Sequence, residues 1–167
     1  MENFHFYIVF ISALIPLLIG FIWYHPNVFG KAWMAASGVN PDANNRPNMA
    51  IVFGLTYTFS CLMGVVLAPI VIHQFGFFSM LANEANINDP NSESGKMVKQ
   101  FMDIYGNNFR TFKHGALHGT ITGIMLAMPV LAINALFEMK NAKYILINAG
   151  YWVISLALMG GVICQFM

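Results

Sequence analysis

Four long stretches of the chain contain no Asp, Glu, Lys or Arg: Phe4–Tyr24, Met49–Phe75, His114–Phe137 and Tyr144–Phe166. Each reaches the roughly 20 residues that carry a helix across about 30 Å of hydrocarbon. Hydrocarbon offers backbone N–H and C=O groups no partners, so stretches of this length must satisfy them internally, as helices. The pattern predicts an all-α membrane protein. It forms a single transmembrane domain over residues 1–167, with spans at about 4–24, 49–75, 114–137 and 144–166 in a compact bundle. Aromatic residues collect where an interfacial belt belongs: Phe4, Phe6 and Tyr7, then Trp23, Tyr24 and Trp33, then Tyr144, Tyr151 and Trp152. Pro16, Pro69 and Pro129 lie inside the first three spans, where each removes a backbone donor and favours a kink.

The spans are joined by connections at 25–48, 76–113 and 138–143. The last is a tight hairpin, which makes spans three and four antiparallel neighbours. The first holds Pro26, Gly30, Pro41 and Pro47 and is Asn-rich over 40–48. The long 76–113 connection carries Met97, Val98, Phe101, Met102 and Tyr105 on one helical face, with Ser94 as N-cap and Gly106 as stop. The spacing predicts a short amphipathic helix lying on the membrane surface.

Composition supports this. Hydrophobic residues make up 57% and charged residues 9% of the 167, against about 25% charged in soluble domains. A formal net charge of +1 provides no basic patch for nucleic acid. Cys61 and Cys164 fall at depths about 13 Å apart, too far for a disulfide. The first stretch has no basic residue ahead of it and ends in Trp23-Tyr24-His25-Pro26, so it reads as retained rather than as a cleaved leader.

Alternating crossings fix which residues share a membrane side. One side gathers His5, His73, Gln74, His114, His118, Cys164 and Gln165; the other gathers His25, Asn134, Glu138, Asn148, Tyr151 and Trp152. His114 and His118 are four apart on one helical stripe, and His73 comes from another helix at a similar level. Three imidazoles are a ligand set for zinc or copper, and two are a ligand set for haem iron; hydrogen bonding to water, headgroups or a neighbouring helix is the plainer role. On the other side Asn134 and Glu138, at i and i+4, are placed to meet Asn148 across the hairpin, as polar packing or as a ligand pocket.

Span three also carries Gly115, Gly119, Gly123 and Ala127 at four-residue intervals, a small-residue stripe for close helix approach. Gly150, Ala157, Gly161 and Cys164 offer a face on span four, and Gly64 and Ala68 on span two. The partner of the stripe is a helix of this chain or of a second copy, and a homo-oligomer or larger membrane complex is one expectation. The connections 25–48 and 138–143 carry Lys31, Arg46, Lys140 and Lys143; the opposite side carries Lys96, Lys99, Arg110 and Lys113. The first set is denser in its loops, which points to those loops being cytoplasmic and both termini outside.

Trp23-Tyr24-His25-Pro26 followed by Phe29-Gly30-Lys31-Ala32-Trp33-Met34 resembles the first-loop signature of DUF1761, a bacterial membrane family without an established function. Ala116-Leu117-His118-Gly119, Asn134-Ala135-Leu136-Phe137-Glu138 and Ile147-Asn148-Ala149-Gly150-Tyr151-Trp152 resemble its later motifs, in the same order. The resemblance implies a small four-helix protein of the bacterial cytoplasmic membrane and brings no substrate, cofactor or reaction. Physically, the first motif reads as a re-entrant or interfacial turn, or as a lid over Asn134 and Asn148, with Lys31 reaching headgroup phosphates. Trp23, Tyr24, Trp33, His118, Asn134, Glu138, Asn148 and Tyr151 are the candidate ligand-binding residues. The leading expectation is an accessory or oligomer-forming subunit that packs against other helices or binds lipid. The alternatives are a small transporter or channel with a polar pocket near Asn134 and Asn148, and a metal or haem protein using His73, His114 and His118.

Overall fold

The structure is a computed structural model and describes residues 4–39 and 47–167. Most of the Asn-rich stretch of the first connection, with Pro41 and Arg46, lies outside the described residues.

The first span is built in two pieces, α1 (Tyr7–Ser12) and α2 (Ile15–Trp23). Pro16 falls in the first turn of α2, where a missing N–H breaks no helical bond, so it starts a helix rather than kinking one. The chain then bends by 54° into Pro26–Ser37. This arm opens with a π-helical turn (Pro26–Gly30) and continues as α3 (Lys31–Ser37), which ends at Gly38 with φ 78°. Gly30 donates to the His25 carbonyl at 3.0 Å. A Cβ at Gly30 would overlap the Tyr24 carbonyl, so only glycine closes this turn.

The second span, α4 (Met49–Val71), starts at Asn48, whose side chain accepts from Ala50 N. It ends four residues before the expected boundary at Phe75. Ile72 is extended, and a separate helix α5 (Gln74–Met80) follows. The buried Gln74 donates from Nε2 to the Tyr105 and Asn108 carbonyls, so this residue is tied to the long connection instead of prolonging the span. In that connection α6 (Glu93–Tyr105) is capped by Ser92, which accepts from Gly95 N at 2.9 Å. Ser94, the expected cap, instead donates to the Ala85 carbonyl. The helix begins earlier because the turn at Asp89 delivers Ser92 in the extended conformation a cap needs. Gly106 ends α6 as expected, and Phe101 stacks on Phe77 at 3.9 Å, seating α6 on α5.

The third span runs without interruption over Phe112–Phe137 as α7 (Phe112–Thr122), a π-helical turn (Gly123–Ala127) and α8 (Met128–Phe137). Pro129 has no N–H for the carbonyl four residues earlier, and the wider turn immediately before it absorbs the mismatch. The fourth span, α9 (Ala142–Phe166), begins at Asn141, whose side chain accepts from Tyr144 N.

α9 is the hub. In its most apolar stretch 44% of residues are buried, against 17% in α4 and 11% in the third span. The stripe on α7 lies directly on it: a Cβ at Gly115 would overlap the Gly160 carbonyl, and one at Gly119 the Leu156 carbonyl. Gly123 faces Val153. The partner of the stripe is therefore a helix of the same chain. Ser12, Ser60 and Ser155 are fully buried, while Phe21, Phe59, Leu62 and Leu117 point outwards. An apolar exterior around small, partly polar contacts is what lipid as solvent demands. Among the described residues, three helices are long and apolar enough to cross a membrane, or four with the bent first span. The chain is thus an all-helical membrane protein.

The α7–α9 contact predicts a sharp contrast. Gly119→Ala, with no room for a methyl group, is expected to cost about 1–3 kcal/mol, read as a lowered thermal unfolding midpoint in mild detergent. Gly54→Ala, which meets nothing within 4 Å, is expected to be neutral. Equal midpoints for the two variants would mean that α7 and α9 are not in backbone contact.

Candidate functional site

Gly115 and Gly119 face α9, so the residues one position earlier are turned about 100° to the side of α7. These are His114 and His118. The break after α4 brings His73 to the same flank. His73 Nε2 and His114 Nε2 lie 2.9 Å apart, sharing one proton between two imidazoles. The ring centroids of His73 and His118 are 5.0 Å apart, and those of His114 and His118 4.5 Å. One ligand nitrogen from each of the three fits within a 4.8 Å span. Among the described residues, no carboxylate or thiol joins the group.

Phe109 covers the outer side of this group, its ring 5.0 Å from that of His114 and 6.1 Å from that of His73. Its backbone is left-handed, with φ 62°, a conformation that costs a bulky residue energy and needs surrounding contacts to hold it. The Phe109 carbonyl supplies some of them, accepting from Thr111 N and from Cys164 Sγ. Cys164 is buried behind the histidines and also donates to the Val71 carbonyl. Arg110 donates to the Cys164 carbonyl at 2.9 Å and lies over the Phe4 ring. Burial lowers the pKa of its guanidinium, the neighbouring Cys164 works the other way, and the group stays charged. Beside it a cavity of about 320 Å³ opens between Phe4, Met102, Asn107 and Gln165.

At the opposite face the first-loop motif is clasped onto α9. Trp23 Nε1 donates to the Ile147 carbonyl at 3.0 Å, and Tyr24 Oη donates to Asn148 Oδ1 at 2.8 Å. Gly150 lies under the Trp23 indole, and Tyr151 Oη reaches the Pro16 carbonyl at 2.9 Å. Trp33 packs edge-on to Tyr24, and its buried Nε1 has no hydrogen-bond partner among the described residues. Lys140 Nζ donates to the Ser37 carbonyl, holding the end of the bent arm to the hairpin. Asn134, Glu138, Tyr144 and Asn148 line a cleft of about 190 Å³.

Of the residues singled out from sequence, His73, His114 and His118 meet. Tyr24 and Asn148 meet through a hydrogen bond, and Trp23, Gly150 and Tyr151 belong to the same clasp. Asn134 and Glu138 share the cleft with Asn148, but the Asn148 amide is committed to Tyr24 and, through Nδ2, to the Tyr144 carbonyl. His25 caps its own turn, accepting from Asn27 N. His5 is held by its backbone bond to the Met167 carbonyl, and its ring neighbours Tyr7. On the packing faces, Ala157 touches the Gly119 position, Ala127 borders the core, and Gly161 lies against the Phe112 ring. The glycine that actually meets Gly115 is Gly160. Counting Leu156, Gly160 and Cys164 in steps of four would have selected it over Gly161. Phe109 carries no sequence signal, since its role depends on a backbone conformation.

The sequence model of the family described as "Protein of unknown function (DUF1761)" matches residues 7–164. No curated protein and no solved structure matches the chain.

The clasp generates a double-mutant prediction. Tyr24→Phe and Asn148→Ala are each expected to destabilise the protein, with a coupling of about 0.6–1.7 kcal/mol between them, the range for hydrogen bonds between membrane helices. Strict additivity in reversible unfolding would remove the bond.

Proposed function

We propose that this chain, which belongs to the DUF1761 family, is a membrane protein that binds a transition-metal ion, zinc or copper in class, through His73, His114 and His118. The observation that carries the proposal is the convergence within 4.8 Å of three imidazoles, two from α7 and one from the break after α4. On a tetrahedral ion with metal–nitrogen bonds of 2.0–2.1 Å, ligand nitrogens stand about 3.3 Å apart. The His73–His114 pair, at 2.9 Å, already approaches that spacing, and a modest side-chain rotation closes the rest. Imidazole ligands suit zinc and copper and disfavour magnesium or calcium, which take oxygen. Three ligands leave a fourth position open. The same 2.9 Å separation leaves no room for a porphyrin between His73 and His114, so an ion fits this pair better than haem.

The competing readings have less support. The glycine stripe, the main argument for an accessory or oligomer-forming subunit, is occupied by α9 of the same chain. The groove at mid-depth between α4 and the third span is lined by Leu62, Val66, Leu126 and Val130, which offer a polar transported solute nothing to bind. With the basic connections on the cytoplasmic side of a bacterial inner membrane, the histidine group opens to the outer face.

Purified protein is expected to bind one Co²⁺ or Zn²⁺ per chain, with Co²⁺ producing the visible absorption of a tetrahedral site. His118→Ala or His114→Ala should weaken binding by at least about 100-fold, while His25→Ala changes nothing. Ligation needs neutral imidazoles, so lowering the pH from about 7.5 to about 5.5 should release the ion. Stoichiometric binding that survives loss of all three histidines would overturn the proposal.

A further inference from the structure

The polar cleft at the face opposite the histidines does not end at its polar residues. Two of its walls, Leu131 and Trp152, also line a second, larger cavity. That cavity is a groove of about 450 Å³ between α4, the third span and α9. It runs along the third span from Leu131 back to Thr122, nine residues or about 13 Å of helix. This is close to half of the roughly 30 Å hydrocarbon core, one leaflet deep. Apart from Thr122 and Trp152 its lining is hydrocarbon and thioether. The side chains facing across it, Leu62 and Val66 on one wall, Leu126 and Val130 on the other, are each more than half exposed. The bundle does not close over itself there. Leu126 and Ala127 of the π-helical turn Gly123–Ala127 form part of the same wall.

The two spaces adjoin at Leu131 and Trp152, and across them polarity changes in the order an amphiphile presents it: Glu138, Asn134 and Asn148 at the membrane edge, then a hydrocarbon slot one leaflet long. The head end carries a carboxylate and amide oxygens. We propose that this composite cleft binds a single-tailed amphiphile whose head bears an ammonium group, with the head at Glu138 and Asn134 and the tail between α4 and the third span. Charge complementarity at Glu138 selects the cationic head, and the depth of the slot selects a saturated tail of about one leaflet's reach. A second copy of the chain is a poorer occupant, because its apolar helices carry no cation to meet Glu138. The site is independent of the metal centre, which lies at the other membrane face.

The test uses the full-length protein in mild detergent with two photoreactive probes, a dodecylamine and a dodecanoate each carrying a diazirine near the tail end. Cross-linked residues are mapped by mass spectrometry. The amine probe is expected to label the groove, at Leu126, Val130 or Trp152, at least fivefold more than the carboxylate probe. Glu138→Gln should remove that preference while tail labelling persists at the lower level. Val130→Trp, which fills the slot, should abolish labelling by both probes at these positions, and unchanged unfolding midpoints of both variants show that the fold is intact. Equal labelling by the two probes, unaffected by Glu138→Gln, would overturn the proposal and leave ordinary boundary lipid. Cross-links from the groove to a second protein chain would overturn it in favour of self-association.

Discussion

The backbone contact between α7 and α9 is the constraint on which the remaining structure depends. In water, burial of apolar side chains would hold two such helices together; in lipid that driving force is nearly absent, because the surroundings are as apolar as the side chains. What remains is close packing, and glycine is the residue that permits it. Gly115 and Gly119 bring the α7 backbone onto the carbonyls of Gly160 and Leu156. Once those two residues face α9, helical geometry decides where everything else on α7 points. His114 and His118 are placed on the flank that meets the end of α4, and Thr122 on the wall of the apolar groove. Neither the histidine group nor the groove is specified separately; both follow from one register.

The same register explains how the two membrane faces come to differ. At one face the ends of α4 and α9 and the start of α7 converge on histidines, a buried thiol and a half-buried arginine. At the other the bent arm after α2 folds back and is fastened to α9 by Trp23, Tyr24 and, through the hairpin, Lys140. The interior between them packs Leu67, Ile72, Met159 and Ile163 around the buried Ser12, Ser60 and Ser155, while other bulky side chains, Phe21 and Phe59 among them, are directed outwards. Some hydrogen bonds in this interior are local, such as Ser12 to the Val9 carbonyl and Ser60 to the Thr56 carbonyl, and others join separate elements, such as Tyr151 to the Pro16 carbonyl. They satisfy polar groups without building a path across the membrane.

Much of this was legible in the sequence, for physical reasons. A stretch of more than twenty uncharged residues has one structural solution in a bilayer, and alternation of four such stretches fixes sidedness without any knowledge of packing. This is why His73, His114 and His118 could be grouped before their contacts were known, and why Tyr24 and Asn148 fell on one face. What the pattern could not show depended on single backbone conformations. The stretch without charged residues continues through Ile72 and His73, yet the helix stops there, and Gln74 is tied to carbonyls more than thirty residues away. Ser92 and Ser94 are equally good caps by type, and only the preceding turn chooses between them. Phe109 covers the histidines from a left-handed backbone that no phenylalanine signals in advance.

The placement of the histidines at the rim rather than in the core has an electrostatic consequence. Three imidazoles are neutral ligands, so a bound divalent ion would keep its whole charge. Deep in hydrocarbon the cost of that charge would be several kcal/mol or more, even after relaxation. At the rim, with His73 exposed and His114 and His118 half-buried, water and headgroups can pay most of it. An anion in the open fourth position, such as hydroxide, chloride or a headgroup phosphate, would lower the residual charge further. A carboxylate in the cluster would have done the same at the expense of an anionic site whenever the metal was absent, in a region where such a group is costly. A set of three neutral imidazoles avoids that cost and leaves the balancing charge to be supplied from outside the protein. The three histidines would thus hold the ion, and the fourth ligand would set the residual charge left at the rim.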